Sequence, residues 1–251
     1  MKKIIVFMSL LCAVNGYGDD WSMVKERGIL RVGTTGDYAP ISFINSDGKL
    51  QGFAIDMAES LGKALSLKVE FVKTSWPTLS QDLANNKFDI AMGGITHTKE
   101  RAKTFLLTSK VIENGKIALV RCEDSSRYTS ESMINNTTVK VVVNPGGTNE
   151  RFVKSRLLKS NVINAKDNFV PFGMLLNKQA DVMVTDLIEG RYQSRLHKNK
   201  LCVANDQPFS GTESYKVYMV QKDSKMLLTK VNDWLSAVDV NALKRKWKID
   251  P

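Results

Sequence analysis

Three segments of this sequence concentrate groups able to hold anions or move protons. Asn144-Pro145-Gly146-Gly147-Thr148-Asn149-Glu150 follows an apolar run and opens a helical one. Its glycines let the backbone approach a ligand closely, and the free N–H groups of a helix start favour an anion. The Thr148 hydroxyl and the Asn144 and Asn149 amides add donors. A plain strand-to-helix turn with an N-cap is the simpler reading of the same residues. Gly93-Gly94-Ile95-Thr96-His97-Thr98-Lys99-Glu100-Arg101 follows a second apolar run. Arg101 carries the planar fork that pairs bidentately with a carboxylate, unless it pairs with Glu100 at the surface. Asp186-Leu187-Ile188-Glu189 supports two readings. Asp at an N-cap with Glu three residues on is a capping box. In the other reading Glu189 points into a cleft, where burial raises its pKa and keeps a proton available near neutral pH. Tyr38 and Trp76 each fall just past a predicted strand end, placed to clamp a cyclic ligand or to pack in the core. Lys116 is a second cation where the chain crosses between two halves, or a solvated lysine. Together these groups suit a small molecule with one or two carboxylates.

To converge, the segments need strands ending at one cleft. The sequence predicts strands over 29–35, 69–72 and 88–92, and a hairpin of 41–44 with 50–53 around Asp47-Gly48. Ala54, Met57, Ala58, Leu61 and Leu65 recur with helical spacing, and Pro77 is placed to open a helix running to 86. The pattern returns with strands at 139–143, near Val162 and at 181–184, and helices at 148–158 and 168–177. A strand at 216–221 and helices at 223–238 and 241–247 close the chain. This alternation predicts an α/β protein of two lobes, each with a mixed, mostly parallel sheet covered by helices. The last strand and helices need a sheet to cover, so lobe one is expected over 22–115 plus 212–251 and lobe two over 116–211. The ligand cleft is expected between them, at the C-terminal ends of the strands.

Composition narrows the classes. The chain has 251 residues, 43% hydrophobic and 25% charged, which excludes collagen-like and disordered chains. No apolar run reaches the roughly 18 residues of a membrane span, so no stable membrane association is expected. The net charge of +10 is scattered along the chain, as on a solvated surface, and a nucleic-acid partner is not expected. Two His and three Cys argue against a metal cluster of those residues. Lys2-Lys3, the apolar run 4–14 and Gly16-Tyr17-Gly18 before Asp19 have the layout of a secretory signal peptide over 1–18, implying export to the periplasm. Cys12 leaves with that segment. Cys122 and Cys202 then remain, either as a disulfide in an oxidising compartment or as two buried thiols. The sequence leaves open whether the chain is a monomer or a homo-oligomer.

At these residues the chain resembles the type II periplasmic solute-binding family, in particular its binders of polar amino acids. Tyr38, Trp76, Thr96, Arg101, Thr148 and Asp186 fall where such binders hold an amino acid. The resemblance is closer to the cyclohexadienyl dehydratases, exported enzymes on the same fold. It is carried by Thr34-Thr35-Gly36-Asp37-Tyr38, Thr74-Ser75-Trp76-Pro77, the run 144–150, Thr185-Asp186-Leu187-Ile188-Glu189, Gln193-Ser194-Arg195-Leu196-His197 and the two cysteines. Gly93-Gly94 and His97 depart from that pattern. The resemblance implies that Glu189 is a general acid and that Trp76, Arg101, Lys116, Asn144 and Asn149 line the substrate pocket. It implies conversion of prephenate to phenylpyruvate, and of arogenate to phenylalanine, without a metal or organic cofactor. The wider family implies a second reading, a receptor delivering a polar amino acid to an ABC-type permease. A receptor needs one acid for an amino group, so Glu189 beside Asp186 separates the two.

Overall fold

The computed structural model describes residues 20–205 and 207–249; the leader predicted over 1–18 lies outside the described residues. The first lobe opens with α1 (Asp20–Arg27) and β1 (Ile29–Thr34). A small antiparallel sheet follows, made of β2 (Asp37–Tyr38), β3 (Ser42–Ile44) and β4 (Leu50–Gln51). Next come α2 (Phe53–Leu65), β5 (Lys68–Lys73), α3 (Leu79–Ala84), β6 (Ile90–Thr96), α4 (Lys99–Thr104), β7 (Leu106–Leu107) and β8 (Ile112–Asn114). The second lobe holds β9 (Lys116–Arg121), α5 (Glu131–Ile134), β10 (Lys140–Val143), α6 (Thr148–Arg156), β11 (Asn161–Asn164) and α7 (Val170–Leu176). It ends with β12 (Val182–Asp186), α8 (Leu187–Leu196) and β13 (Leu201–Val203). The chain then returns through β14 (Ser214–Val220) to α9 (Lys225–Ala237) and α10 (Val240–Lys246).

The main sheet of the first lobe has the order β5-β1-β6-β14-β7, with β8 also on β14; the second lobe's sheet runs β11-β10-β12-β9-β13. Both sheets are mixed, as the sequence predicts. In each, the βαβ units pair in parallel, and the strands next to the crossovers between lobes pair antiparallel. The antiparallel share exceeds the expected one because β7, β8, β9 and β13 pair with strands far away in sequence, which a local alternation pattern does not register. Apolar side chains cover both faces of each sheet. Met57, Ala58 and Leu61 of α2 and Leu227, Val231 and Trp234 of α9 pack on one face of the first sheet, and Leu79 and Leu83 of α3 on the other.

Two predicted boundaries shift for physical reasons. The helix expected from Pro77 starts at Leu79, because Ser75 to Thr78 first forms a turn closed by Thr78 N–H on Ser75 O at 3.1 Å. The segment Gly93-Gly94-Ile95-Thr96, expected as a loop after a strand at 88–92, belongs to β6 itself. Its pairing with β14 jumps from Ala91↔Met219 to Ile95↔Val217, so β6 bulges around Gly93 and Gly94. A β-carbon on Gly93 would lie 2.7 Å from Thr34 Oγ1, and one on Gly94 (φ +88°) 2.3 Å from the Tyr38 ring. Glycine in a strand here reflects close approach of neighbours rather than a loop.

Cys122, just after β9, is disulfide-bonded to Cys202 in β13 across a sequence separation of 80 residues. Closing a loop of that length removes chain entropy from the unfolded state, worth about 3–5 kcal/mol. At this chain length each kcal/mol corresponds to about 2–4 °C in melting temperature. Paired replacement of Cys122 and Cys202 by Ser should therefore lower the thermal midpoint by about 6–20 °C. Melting curves of wild type and variant under non-reducing conditions check this.

Candidate functional site

Strand register builds the site. On the second sheet Lys116, the first residue of β9, lies directly opposite Asp186, the last of β12. On the first sheet Lys216 of β14 lies opposite Thr96 at the end of β6. Both positions face the cleft, so two lysines from different lobes meet one carboxylate. Lys116 Nζ donates to Asp186 Oδ1 at 2.7 Å and Lys216 Nζ to Asp186 Oδ2 at 2.7 Å. Asn114 Nδ2 donates to Oδ1 and the Tyr38 hydroxyl to Oδ2, each at 2.7 Å. Asp186 is only 5% exposed, Lys116 5% and Lys216 3%. Burial pushes the Asp186 carboxyl upward, but Lys116 and then Lys216 outweigh it and hold the group well below its ordinary range, ionised. Burial brings the Lys216 ammonium down to about 8 although Asp186 opposes it. The Tyr38 hydroxyl is pushed up by burial and by the charge of Asp186.

Glu189 lies one turn along α8, 2% exposed. The capping box is not formed: Asp186 is the N-cap residue of α8 but makes no side-chain cap hydrogen bond. Its oxygens face the lysines instead. Glu189 accepts from the Thr185 hydroxyl through Oε2. Burial raises its pKa to about 8; the Thr185 hydrogen bond opposes this, and the charges of Asp186 and Asp37 reinforce it. Two carboxyls one turn apart are therefore held in opposite protonation states at neutral pH.

Tyr38, Trp76, Gly94, Thr96, Arg101, Asn144, Thr148, Asn149 and Asp186 line one cavity of about 20 Å³ between the lobes, with Gly147 and Asn168. That volume admits about one water, so a ring-sized ligand requires the lobes to part. Lys116 and Glu189 are not among the lining residues and sit one layer deeper. Lys116 donates to Thr148 Oγ1 at 2.7 Å and to Asn149 Oδ1. Glu189 is reached through Thr185, whose hydroxyl accepts from Asn149 Nδ2 at 3.3 Å. Arg101 does not pair with Glu100. Its Nη1 donates to the Thr96 carbonyl at 2.7 Å, and burial lowers its pKa to about 10. A second hollow of about 390 Å³ adjoins the cavity, sharing Trp76 and Arg101 and adding Arg151. The Trp76 and Tyr38 rings meet edge to face, 5.8 Å apart. Trp76 Nε1 donates to Asp37 Oδ1 at 3.1 Å, and Asn168 Nδ2 reaches Asp37 Oδ2 from the other lobe at 2.9 Å. The start of α6 is partly satisfied internally, since Gly146 N–H donates to Glu150 Oε2 at 2.7 Å.

Sequence reasoning missed Lys216, Asn114, Asn168 and Thr185. Lys216 left one signal, a lone lysine in the apolar strand Ser214–Val220.

Residues 30–249 match the profile of the bacterial extracellular solute-binding proteins, family 3. The chain belongs to this family. It is 38% identical over 223 residues, 89% of this chain and 82% of the relative, to a cyclohexadienyl dehydratase of Pseudomonas aeruginosa. Among solved structures it is similar to an ancestral amino acid-binding protein described as a precursor of cyclohexadienyl dehydratase. That match has a TM-score of 0.83 and 33% identity, covering 90% of this chain and 98% of the other. An ancestral cyclohexadienyl dehydratase matches at 44% identity with a TM-score of 0.54, covering 90% and 94%. The fold is thus the two-lobed one of this solute-binding family. No helix among the described residues is long and apolar enough to cross a membrane.

The raised pKa of Glu189 has a sign that stability measurements can read. Below the ordinary Glu value of 4.5 both folded and unfolded chains carry the proton. Between there and about 8 only the folded chain keeps it, so stability falls as pH rises through that window. Glu189→Gln removes this dependence. The melting temperature of the Gln variant relative to wild type should rise from pH 5 to pH 8 and level off above, and paired melts across that range check it.

Proposed function

We propose that the chain is an exported cyclohexadienyl dehydratase, a carbon–oxygen lyase that converts prephenate to phenylpyruvate and arogenate to phenylalanine. The observation that carries the reading is the buried Glu189 with its pKa raised to about 8, beside an Asp186 held ionised by two lysines. An acid that must protonate a leaving hydroxyl needs its proton at neutral pH and a pKa near the working pH. The similarity to the Pseudomonas dehydratase supports the same conclusion.

In the proposed reaction the substrate enters as the lobes part, and closure excludes water. Arg101, the donors of Asn144, Thr148 and Asn149, and Lys116 behind them hold the carboxylates. Tyr38 and Trp76 flank the ring. Glu189 gives its proton to the ring hydroxyl, and the C–O bond breaks with loss of water. The bond to the ring carboxylate breaks as its electron pair enters the ring, which becomes aromatic, and carbon dioxide leaves. One proton is consumed per turnover, so Glu189 is reprotonated from solvent before the next. The chain's own side chains supply each role.

The location proposed is the periplasm, reached through a leader over 1–18, with lobes formed by 22–115 plus 212–251 and by 116–211. The second reading, a receptor for a polar amino acid, is favoured by the ancestral amino acid-binding relative and opposed by the buried neutral acid, which a receptor does not require.

Glu189→Gln keeps size and hydrogen bonding but removes the transferable proton. Turnover of prephenate, followed by phenylpyruvate absorbance, should fall by about 10²–10⁴-fold with little change in substrate affinity. The wild-type rate should decline as pH rises through about 8, where Glu189 loses its proton. Normal turnover by the Gln variant would assign Glu189 a structural role.

A further inference from the structure

Asp186 sits where the resemblance to amino-acid binders expects a carboxylate for the ligand's ammonium group. Its surroundings decide whether it can serve. A carboxylate offers about four acceptor sites, two per oxygen. Oδ1 accepts from Asn114 Nδ2 and Lys116 Nζ, and Oδ2 from the Tyr38 hydroxyl and Lys216 Nζ, all at 2.7 Å. All four acceptor sites are used by groups of the protein itself. Three of the four donors, Asn114, Tyr38 and Lys216, come from the opposite lobe, so closure completes the set.

Lys216 is the decisive member. Lys116 spends its three donors on Asp186, Thr148 and Asn149. Lys216 spends two, on Asp186 and on Thr96 Oγ1 at 3.0 Å, and lies 5.0 Å above the Tyr38 ring. The third N–H of its ammonium makes no hydrogen bond among the described residues, just behind the cavity wall formed by Thr96, Tyr38 and Asp186. When the lobes close over a ligand, its ammonium competes with Lys216 for Asp186, and one of the two cations is left buried without its carboxylate, which is unfavourable. Lys116, Lys216 and Arg101 still outnumber the carboxylates of Asp186 and Asp37, so the cleft carries a positive surplus.

We propose that Lys216 is a specificity-determining residue that competes with ligand α-ammonium groups for Asp186, so that the cleft prefers anionic 2-oxo acids to the corresponding α-amino acids and arogenate is the poorer of the two substrates. This rests on the reading of the cleft as a dehydratase site and adds a preference to it. Prephenate and arogenate differ at this carbon, 2-oxo in one and α-ammonium in the other, and the arrangement favours prephenate. The oxo oxygen is an acceptor, which suits the remaining donor of Lys216; an ammonium group is a donor and meets like charge. Specificity here comes from a repulsive element as much as from an attractive one.

The test is calorimetric titration of the mature chain with phenylpyruvate and with L-phenylalanine, which reproduce the difference in stable form. Wild type should bind phenylpyruvate at least about tenfold tighter than L-phenylalanine. Lys216→Met removes the charge at similar length and frees one acceptor site of Asp186. It should shift the ratio toward L-phenylalanine by about tenfold or more. Equal binding of the two ligands by wild type overturns the proposal whether or not the Met variant folds. An unchanged ratio in a Met variant with a cooperative melt also overturns it. A parallel prephenate assay separates the two readings. Phenylpyruvate formation without ligand preference sinks the role of Lys216 alone, whereas ligand preference without turnover sinks the dehydratase reading alone.

Discussion

The arrangement depends on one carboxylate that burial alone would neutralise. Asp186 is kept ionised by Lys116 from its own sheet and Lys216 from the other. Buried charges are tolerated where they are paired and their remaining hydrogen-bonding sites are filled. Here Tyr38 and Asn114 fill them. Removing any one partner would leave a desolvated charge, so the cluster behaves as a unit. Because Lys216 and Tyr38 belong to one lobe and Asp186 to the other, the unit also ties lobe closure to the electrostatics of the cleft.

Glu189 takes its properties from this unit. The fixed charge of Asp186 one turn away discourages a second anion, and the closed cleft withholds the solvent that would stabilise one. Two carboxyls whose environments drive their pKa values apart are a recurrent basis for acid–base roles. The same fold serves binding proteins and, in the Pseudomonas relative, a dehydratase. The difference proposed for this chain lies in a few side chains at strand ends rather than in the architecture, as expected where function is grafted onto a scaffold.

Much of this was legible in the sequence. The helical spacing of Ala54, Met57, Ala58 and Leu61 marked α2, and the Asp47-Gly48 turn marked the β3–β4 hairpin, because both signals are local. The run 144–150 announced its strand-to-helix turn for the same reason. β9 is buried along its whole length and shows no alternation, β13 is only three residues long, and both pair with partners far away in sequence, so neither stood out as a strand. Lys216 was invisible as a site residue for a related reason. Nothing near it in sequence explains a buried lysine; its partners, Asp186 and Thr96, are 30 and 120 residues away. Gly93 and Gly94 suggested a loop, since their true cause, the closeness of Thr34 and the Tyr38 ring, is tertiary. The Asp186–Glu189 spacing fitted a capping box, and only the lysines reveal why Asp186 turns away from the helix.

The central claim is that Glu189 carries a proton at neutral pH while Asp186 beside it does not. Infrared difference spectroscopy between wild type and Glu189→Gln reads this directly through the C=O stretch of a protonated carboxyl group. The account predicts that band in wild type at pH 7, with its loss as pH rises through about 8. A carboxylate signature for Glu189 already present at pH 7 would contradict it.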